Sequence, residues 1–255
     1  MLLKGKVALV TGSSSGIGKG IAISMAREGA KIIIDHYMSK KDAEEVVGII
    51  KEIGSPAIAI DADVSVRKKV EKLINTGWEK FGKIDILVCN AGIAPNSSFL
   101  EIEENEWDRT INVNLKGTFL CGQAIAKRMV KEGIRGKIII ITSINGFQAE
   151  KKRVSYSSSK GGLIALTQSM AVELGEYGIN VNAIAPGVVS GTNIDSGFFN
   201  DKSIVDKVIA QTPLQKFGTV EDCANLAVFL ASDRSDFIQG EVIVLDGGLT
   251  VLQFP

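Results

Sequence analysis

Seven short apolar runs punctuate the chain, at residues 6–11, 31–35, 57–61, 85–89, 136–142, 180–184 and 241–245. Each is almost continuous, as in Lys31-Ile32-Ile33-Ile34-Asp35, rather than alternating with polar residues. A strand covered on one face alternates, so continuous runs predict strands buried on both faces of a parallel sheet. Between the runs apolar residues recur at helical spacing: Ile21, Ala22, Met25 and Ala26 in one segment, Leu163, Leu166, Met170 and Leu174 in another. Helices are expected over 19–28, 39–53, 65–81, 103–132, about 156–177 and 220–232, the long fourth one with a break near Gly117 or Gly122. Residues 188–212, Gly- and Asn-rich around Phe198 and Phe199, form the longest irregular stretch, read as a lid or a mobile surface loop. Strands alternating with helices over residues 1–255 predict one doubly wound α/β domain, a seven-stranded parallel sheet with helices on both faces.

Composition narrows the partners. The 29 basic and 29 acidic side chains cancel, so neither nucleic acid nor an anionic membrane is an expected partner. No apolar run reaches the ~18 residues that a membrane span needs, and the opening residues lead straight into the first strand, so a cytoplasmic protein is expected. Cys89, Cys121 and Cys223 are few, odd in number and widely spaced, which fits buried thiols rather than a disulfide framework. His36 is the single histidine, so neither a zinc-ligand cluster nor a Ser-His-Asp arrangement is available, and no metal is expected.

The candidate chemistry lies where strands end. The first run is followed by Gly12-Ser13-Ser14-Ser15-Gly16-Ile17-Gly18 and then a helix. Glycines allow close backbone approach, and the free amides of a helix N-terminus favour an anion, so this turn is a candidate pyrophosphate site. Its spacing is G-x-x-x-G-x-G rather than G-x-G-x-x-G. The second run ends in Asp35-His36-Tyr37, where a dinucleotide's adenosine ribose would lie. An acidic residue there accepts from ribose hydroxyls and repels an extra phosphate, although Asp35 could equally be a strand-end turn residue. Ser143 follows the fifth run. Tyr156 and Lys160 are one helical turn apart, so an ammonium is within reach of a phenol and can tune it for proton transfer.

These residues together resemble the short-chain dehydrogenase/reductase family over essentially the whole chain. The markers are Thr11-Gly12 to Gly18, Asp63-Val64, Asn90-Ala91-Gly92, Asn114 within Asn112-Val113-Asn114-Leu115, Ser143, Tyr156-x-x-x-Lys160 and Pro186-Gly187. The resemblance implies a Rossmann-type fold and an NAD- or NADP-dependent oxidoreductase. Its catalytic tetrad would be Asn114, Ser143, Tyr156 and Lys160: Ser143 polarises the substrate oxygen and Tyr156 passes the proton. Lys160 lowers the tyrosine pKa and binds the nicotinamide ribose, while Asn114 holds a water leading to solvent.

Cofactor contacts are implied for Gly12, Ser14, Ser15, Gly16, Ile17 and Gly18, for Asp35 and His36, and for Asp63 and Val64 beside the adenine. Asn90, Ala91 and Gly92, then Pro186, Gly187, Val189 and Thr192, complete the set with Tyr156 and Lys160. Ser143, Asn145, Tyr156 and Gly187 would meet the substrate. Two positions depart from the family pattern. The place of the carboxamide-contacting threonine is Gly191, with Thr192 one further on. The place that is aspartate in many NAD users is His36, and the next, often arginine in NADP users, is Tyr37.

Asp35 tips the expectation towards NAD. The substrate reading is a small molecule, a sugar, polyol or keto acid, suggested by the polar segment Asn145, Gln148, Glu150, Lys151, Lys152 and Arg153 and by Asn193 and Asn200. The alternatives are a 3-oxoacyl thioester reductase and a dinucleotide-binding sensor without catalysis. An enoyl reductase would want its Tyr and Lys further apart. The resemblance also implies a homotetramer.

Overall fold

The computed structural model describes residues 1–192 and 198–251. Seven parallel strands make one sheet in the order β3-β2-β1-β4-β5-β6-β9. They are β1 (Val7–Val10), β2 (Lys31–His36), β3 (Ala57–Asp61), β4 (Ile86–Cys89), β5 (Lys137–Ile141), β6 (Asn180–Pro186) and β9 (Val242–Leu245). All seven lie where apolar runs predicted them. A separate two-residue ladder pairs β7 (Val189–Ser190) with β8 (Gly218–Thr219).

The unbroken apolar runs are explained by two cores. Along β5, Ile139 and Ile141 enter one core while Ile138 and Ile140 enter the other. Successive side chains of a strand point to opposite faces, so a sheet covered on both sides needs apolar residues at every position. The first core is closed by α1 (Gly16–Arg27), α2 (Lys40–Glu52) and α8 (Val220–Ala231). The second is closed by α3 (Arg67–Phe81), α5 (Gly117–Lys131) and α6 (Val154–Leu174), with α4 (Glu104–Ile111) leading into α5.

The expected break in the long fourth helix is a π-helical turn, Asn112–Lys116, immediately before Gly117; the chain stays helical through Gly122. Gly117 is required there, because a Cβ would approach Val64 Cγ2 to 2.9 Å.

The irregular stretch expected at 188–212 is in part regular. It contains β7 and a helix, α7 (Lys202–Gln211), capped by Asp201, whose carboxylate accepts from Ser203 N at 3.0 Å. Ile204, Val205, Val208 and Ile209 are the helical signal, but α7 buries no residue, so its stripe was too short to stand out from the Gly/Asn-rich residues before it. Asn193 lies outside the described residues. Among the described residues no helix is long and apolar enough to cross a membrane.

Candidate active site

The sheet order reverses between β1 and β4, and the crevice outside the carboxyl ends of these strands is where open α/β sheets bind ligands. A cleft of about 920 Å³ opens there. Its floor is built from the turn after β1. Gly12 has φ +59° and is packed so closely that a Cβ would stand 2.8 Å from Ala91 Cα. Asn90 Nδ2 donates to the carbonyls of Thr11 and Gly12, both at 3.0 Å, and Thr11 Oγ1 accepts from Asn90 N and Ala91 N. The turns after β1 and β4 are therefore locked together, which leaves the Ser14–Ile17 segment at the start of α1 facing the cleft.

Most residues implied by the resemblance line this cleft: Gly12, Ser14, Ser15, Gly16 and Ile17, Asp63 and Val64, Asn90 to Gly92, Pro186, Gly187, Val189 and Thr192. Ser143, Asn145, Tyr156 and Lys160 line it too. Three expected residues do not. Gly18 is beneath the turn, where a Cβ would come within 2.4 Å of Asn90 Nδ2, so it supports the loop. His36 is turned away by the strand alternation; it is 5% exposed, with Nδ1 3.5 Å from Asp61 Oδ1. Asn114 is fully buried, its Oδ1 accepting from Ile93 N at 2.8 Å and its Nδ2 donating to Ile93 O and Ser159 Oγ. Its side chain thus braces the wall after β4. The π-helical turn that carries Asn114 aims it there, and helix breaks of this kind gather at functional sites.

Asp35 lines the cleft from behind the glycine turn. Its Oδ2 accepts from Gly12 N at 3.0 Å, while Oδ1 is buried with no hydrogen-bond partner. Burial pushes this carboxyl up to about 7, partly offset by the Gly12 amide and reinforced by Asp61 and Asp63. In the unfolded chain it ionises near pH ~4. Between these values the folded state holds an extra proton, so this group makes stability fall as pH rises from about 4 to about 7. Asp35→Asn keeps an acceptor for Gly12 N but cannot ionise. It is expected to gain roughly 1–3 kcal/mol over the parent at pH 8 and to lose the advantage towards pH 4. Urea midpoints across that range check this, and a pH-independent difference would refute it.

Tyr156 and Lys160 are buried on the first turns of α6, 9% and 4% exposed. Lys160 Nζ donates to Ile141 O at 2.8 Å and lies 5.5 Å from the Tyr156 ring centroid. Thr142 Oγ1 donates to Lys160 O at 2.8 Å, which ties this helix to the end of β5, where Ser143 stands. Burial lowers the Lys160 ammonium to about 8. Ser143 Oγ accepts from Asn145 N at 3.1 Å. A phenol, an ammonium and a hydroxyl thus share one cleft with a turn shaped for a pyrophosphate, the group set for moving a proton beside a dinucleotide.

Several lining residues were not singled out from the sequence. Ser39 borders the cleft beyond Asp35, its Oγ 2.9 Å from Ser14 Oγ. Ile93 and Val113 complete the wall that Asn114 braces. No local signal marks them, because they reach the cleft from loops and turns brought together by the sheet.

Comparison with known proteins agrees with this geometry. Residues 12–250 match the family model described as Enoyl-(Acyl carrier protein) reductase. The L-rhamnose 1-dehydrogenase (NAD(P)(+)) of a Sphingomonas species is 37% identical over 250 residues, covering 98% of each chain. The 3-oxoacyl-[acyl-carrier-protein] reductase of Staphylococcus epidermidis is 39% identical over 244 residues, covering 96% of this chain and 98% of that one. The crystal structure of a gluconate 5-dehydrogenase from Burkholderia cenocepacia, in complex with NADP and tartrate, superposes with a TM-score of 0.93 at 35% identity, covering 98% of this chain and 97% of that one. With this coverage and the strand order, glycine turn and Tyr-x-x-x-Lys pair in place, the chain belongs to the short-chain dehydrogenase/reductase family of NAD(P)-dependent oxidoreductases.

Proposed function

We propose that this enzyme interconverts a sugar hemiacetal or polyol hydroxyl and its carbonyl compound, with Tyr156 as general acid and base. The observation that carries the reading is the burial of Tyr156 and Lys160, one turn apart, in the cleft that also holds Ser143 and the glycine turn. The cofactor fits on the chain's own terms: Gly12 packs so closely on Ala91 that no Cβ could fit, which keeps the turn tight, and Ser14 to Ile17 line the cleft where the start of α1 offers backbone amides to an anion. A bound nicotinamide dinucleotide supplies the hydride acceptor or donor. The protein does the rest. Ser143 fixes the substrate oxygen, Tyr156 takes the hydroxyl proton as the carbon loses hydride, and Lys160 favours the phenolate. In reduction Tyr156 returns that proton. Asn114 keeps its place in the tetrad as a positioning residue, through Ile93 and Ser159.

The sugar reading is supported by the polar rim of the cleft and by relatives named for rhamnose and gluconate. A 3-oxoacyl thioester reductase is the second reading, supported by the 39% identical relative of that name. Nicotinamide absorbance with a panel of sugars, polyols and 3-oxoacyl thioesters separates them; turnover of thioesters alone would displace the sugar reading.

NAD is the preferred coenzyme in this reading, because Tyr37, which borders the cleft, stands where an arginine would welcome a further phosphate. A higher kcat/KM with NADP would reverse that preference. The assembly proposed is a homotetramer, supported by exposed apolar side chains such as Leu100, Val172 and Phe237. Light scattering checks it, and a monomer at micromolar concentration would overturn it. A cytoplasmic location suits the three buried, unbridged cysteines.

A further inference from the structure

The cleft has a polar rim that the proton-transfer chemistry does not use. It begins at Ser143, whose Oγ accepts from Asn145 N at 3.1 Å. Asn145 Nδ2 donates to Glu150 Oε2 at 2.7 Å, and Glu150 Oε1 stands 3.9 Å from Arg153 Nε. One terminal nitrogen of Arg153 donates to Ala94 O at 2.6 Å and lies 3.4 Å from Pro95 O. The Arg153 backbone also bridges to Ser97. A continuous polar chain therefore runs from Ser143 to the segment after β4, next to Ile93 of the cleft wall. Arg153 immediately precedes the helix that carries Tyr156, so the rim and the phenol are set by one segment.

The chemistry of this rim is specific. Asn145 and Arg153 supply donors, and the Glu150 carboxylate has about four lone-pair sites, of which the Asn145 amide occupies one. Charge is balanced, one carboxylate against one guanidinium. The Arg153 side chain is 11% exposed and committed to two backbone carbonyls and Glu150, whereas the Glu150 side chain is 53% exposed. An incoming carboxylate would thus meet the exposed negative partner before the covered positive one. An alkyl chain fares no better, since it would desolvate a carboxylate without replacing its hydrogen bonds. A neutral ring bearing neighbouring hydroxyls suits the rim, because each hydroxyl both donates and accepts.

We propose that Asn145, Glu150 and Arg153 form a hydroxyl-reading rim that selects a neutral aldose over an aldonate and over a 3-oxoacyl thioester. This rests on the sugar reading above and narrows it. The acceptor is Glu150, the donor is Asn145, and Arg153 holds Glu150 in place while pinning the two walls together. A site built to hydrogen-bond hydroxyls discriminates strongly against ligands that lack them, because its polar groups are then left unpaired.

The test compares L-rhamnose, D-gluconate and acetoacetyl-coenzyme A, the last as a 3-oxoacyl thioester, with the parent, Glu150→Ala and Glu150→Gln. Glu150→Ala is expected to raise KM for the neutral sugar by about 10-fold, with kcat within about three-fold. Glu150→Gln, which keeps an acceptor, should recover most of that loss. Both variants should lower KM for gluconate by about three-fold or more by removing the negative charge, so with Glu150→Ala the preference for the neutral sugar narrows by about 30-fold or more. Should Glu150→Ala fail to fold, the isosteric Glu150→Gln still reads the gluconate effect. A purely structural role for Glu150 would reduce kcat/KM for every substrate by the same factor and would overturn the proposal. So would a parent enzyme that prefers gluconate to the neutral sugar. Turnover of the thioester alone, or of none of the three, sinks the sugar reading and this inference with it. Sugar turnover with no differential effect of Glu150 sinks only the inference.

Discussion

Replacing Tyr156 by phenylalanine is expected to lower kcat by about 100- to 10,000-fold while leaving dinucleotide affinity within about three-fold. Phenylalanine keeps the ring, the packing and the helix, and removes only the oxygen that we propose carries the proton. Tyr156 lines the cleft, so loss of the hydroxyl leaves no enclosed cavity and should not unfold the protein. Without that oxygen the substrate hydroxyl must lose its proton to a water molecule at the moment hydride leaves. The cost is the share that positioned acid-base catalysis supplies, roughly 3–5 kcal/mol. Steady-state turnover, paired with fluorescence titration of the reduced dinucleotide, separates the two effects. Unchanged kcat would remove Tyr156 from the chemistry; a large loss of dinucleotide affinity would recast it as a binding residue.

Lys160→Met should reduce kcat/KM by about 100-fold or more, yet leave the protein at least as stable at pH 7 as the parent. The two outcomes have one cause. The ammonium is 4% exposed, and among the described residues its hydrogen-bond acceptor is the Ile141 carbonyl, at 2.8 Å. Burial therefore lowers it to about 8. An unfolded lysine titrates near ~10.4, so between about 8 and about 10 the unfolded chain holds the extra proton and folding stability rises with pH. Methionine removes the buried charge and that slope. In the parent, cationic support for the Tyr156 phenolate is present below about 8 and fades as pH rises through it. Denaturant midpoints from pH 7 to 10 and pH–rate profiles check both halves. A variant clearly less stable at pH 7 would mean that the Ile141 bond outweighs the cost of burying the charge.

The strands were legible because burial on both faces forces apolar residues at consecutive positions, as in β5, where Ile138 to Ile141 alternate between the two cores. The glycine turn and the Tyr156/Lys160 pair were legible for a related reason: each is set by local geometry, a turn with positive φ at Gly12 and a one-turn helical separation. The helix α7 was missed because it buries nothing, and an exposed helix has no apolar stripe strong enough to read. His36 and Asn114 lie near their expected places, but the facing of their side chains was not legible. Strand alternation turns one towards Asp61, and a π-helical turn directs the other to Ile93.

The amino-acid order alone thus determined the seven-stranded α/β architecture, the glycine turn after the first strand and the phenol–ammonium pair, since each follows from spacing along a single element. Only the tertiary structure decided which groups share the cleft, that Asp35 is a buried brace for Gly12, and that Glu150 and Arg153 join Asn145 in one polar rim. Burial and hydrogen-bond partners arise between segments far apart in the chain. They depend on how the strand ends converge, and no local pattern encodes that convergence.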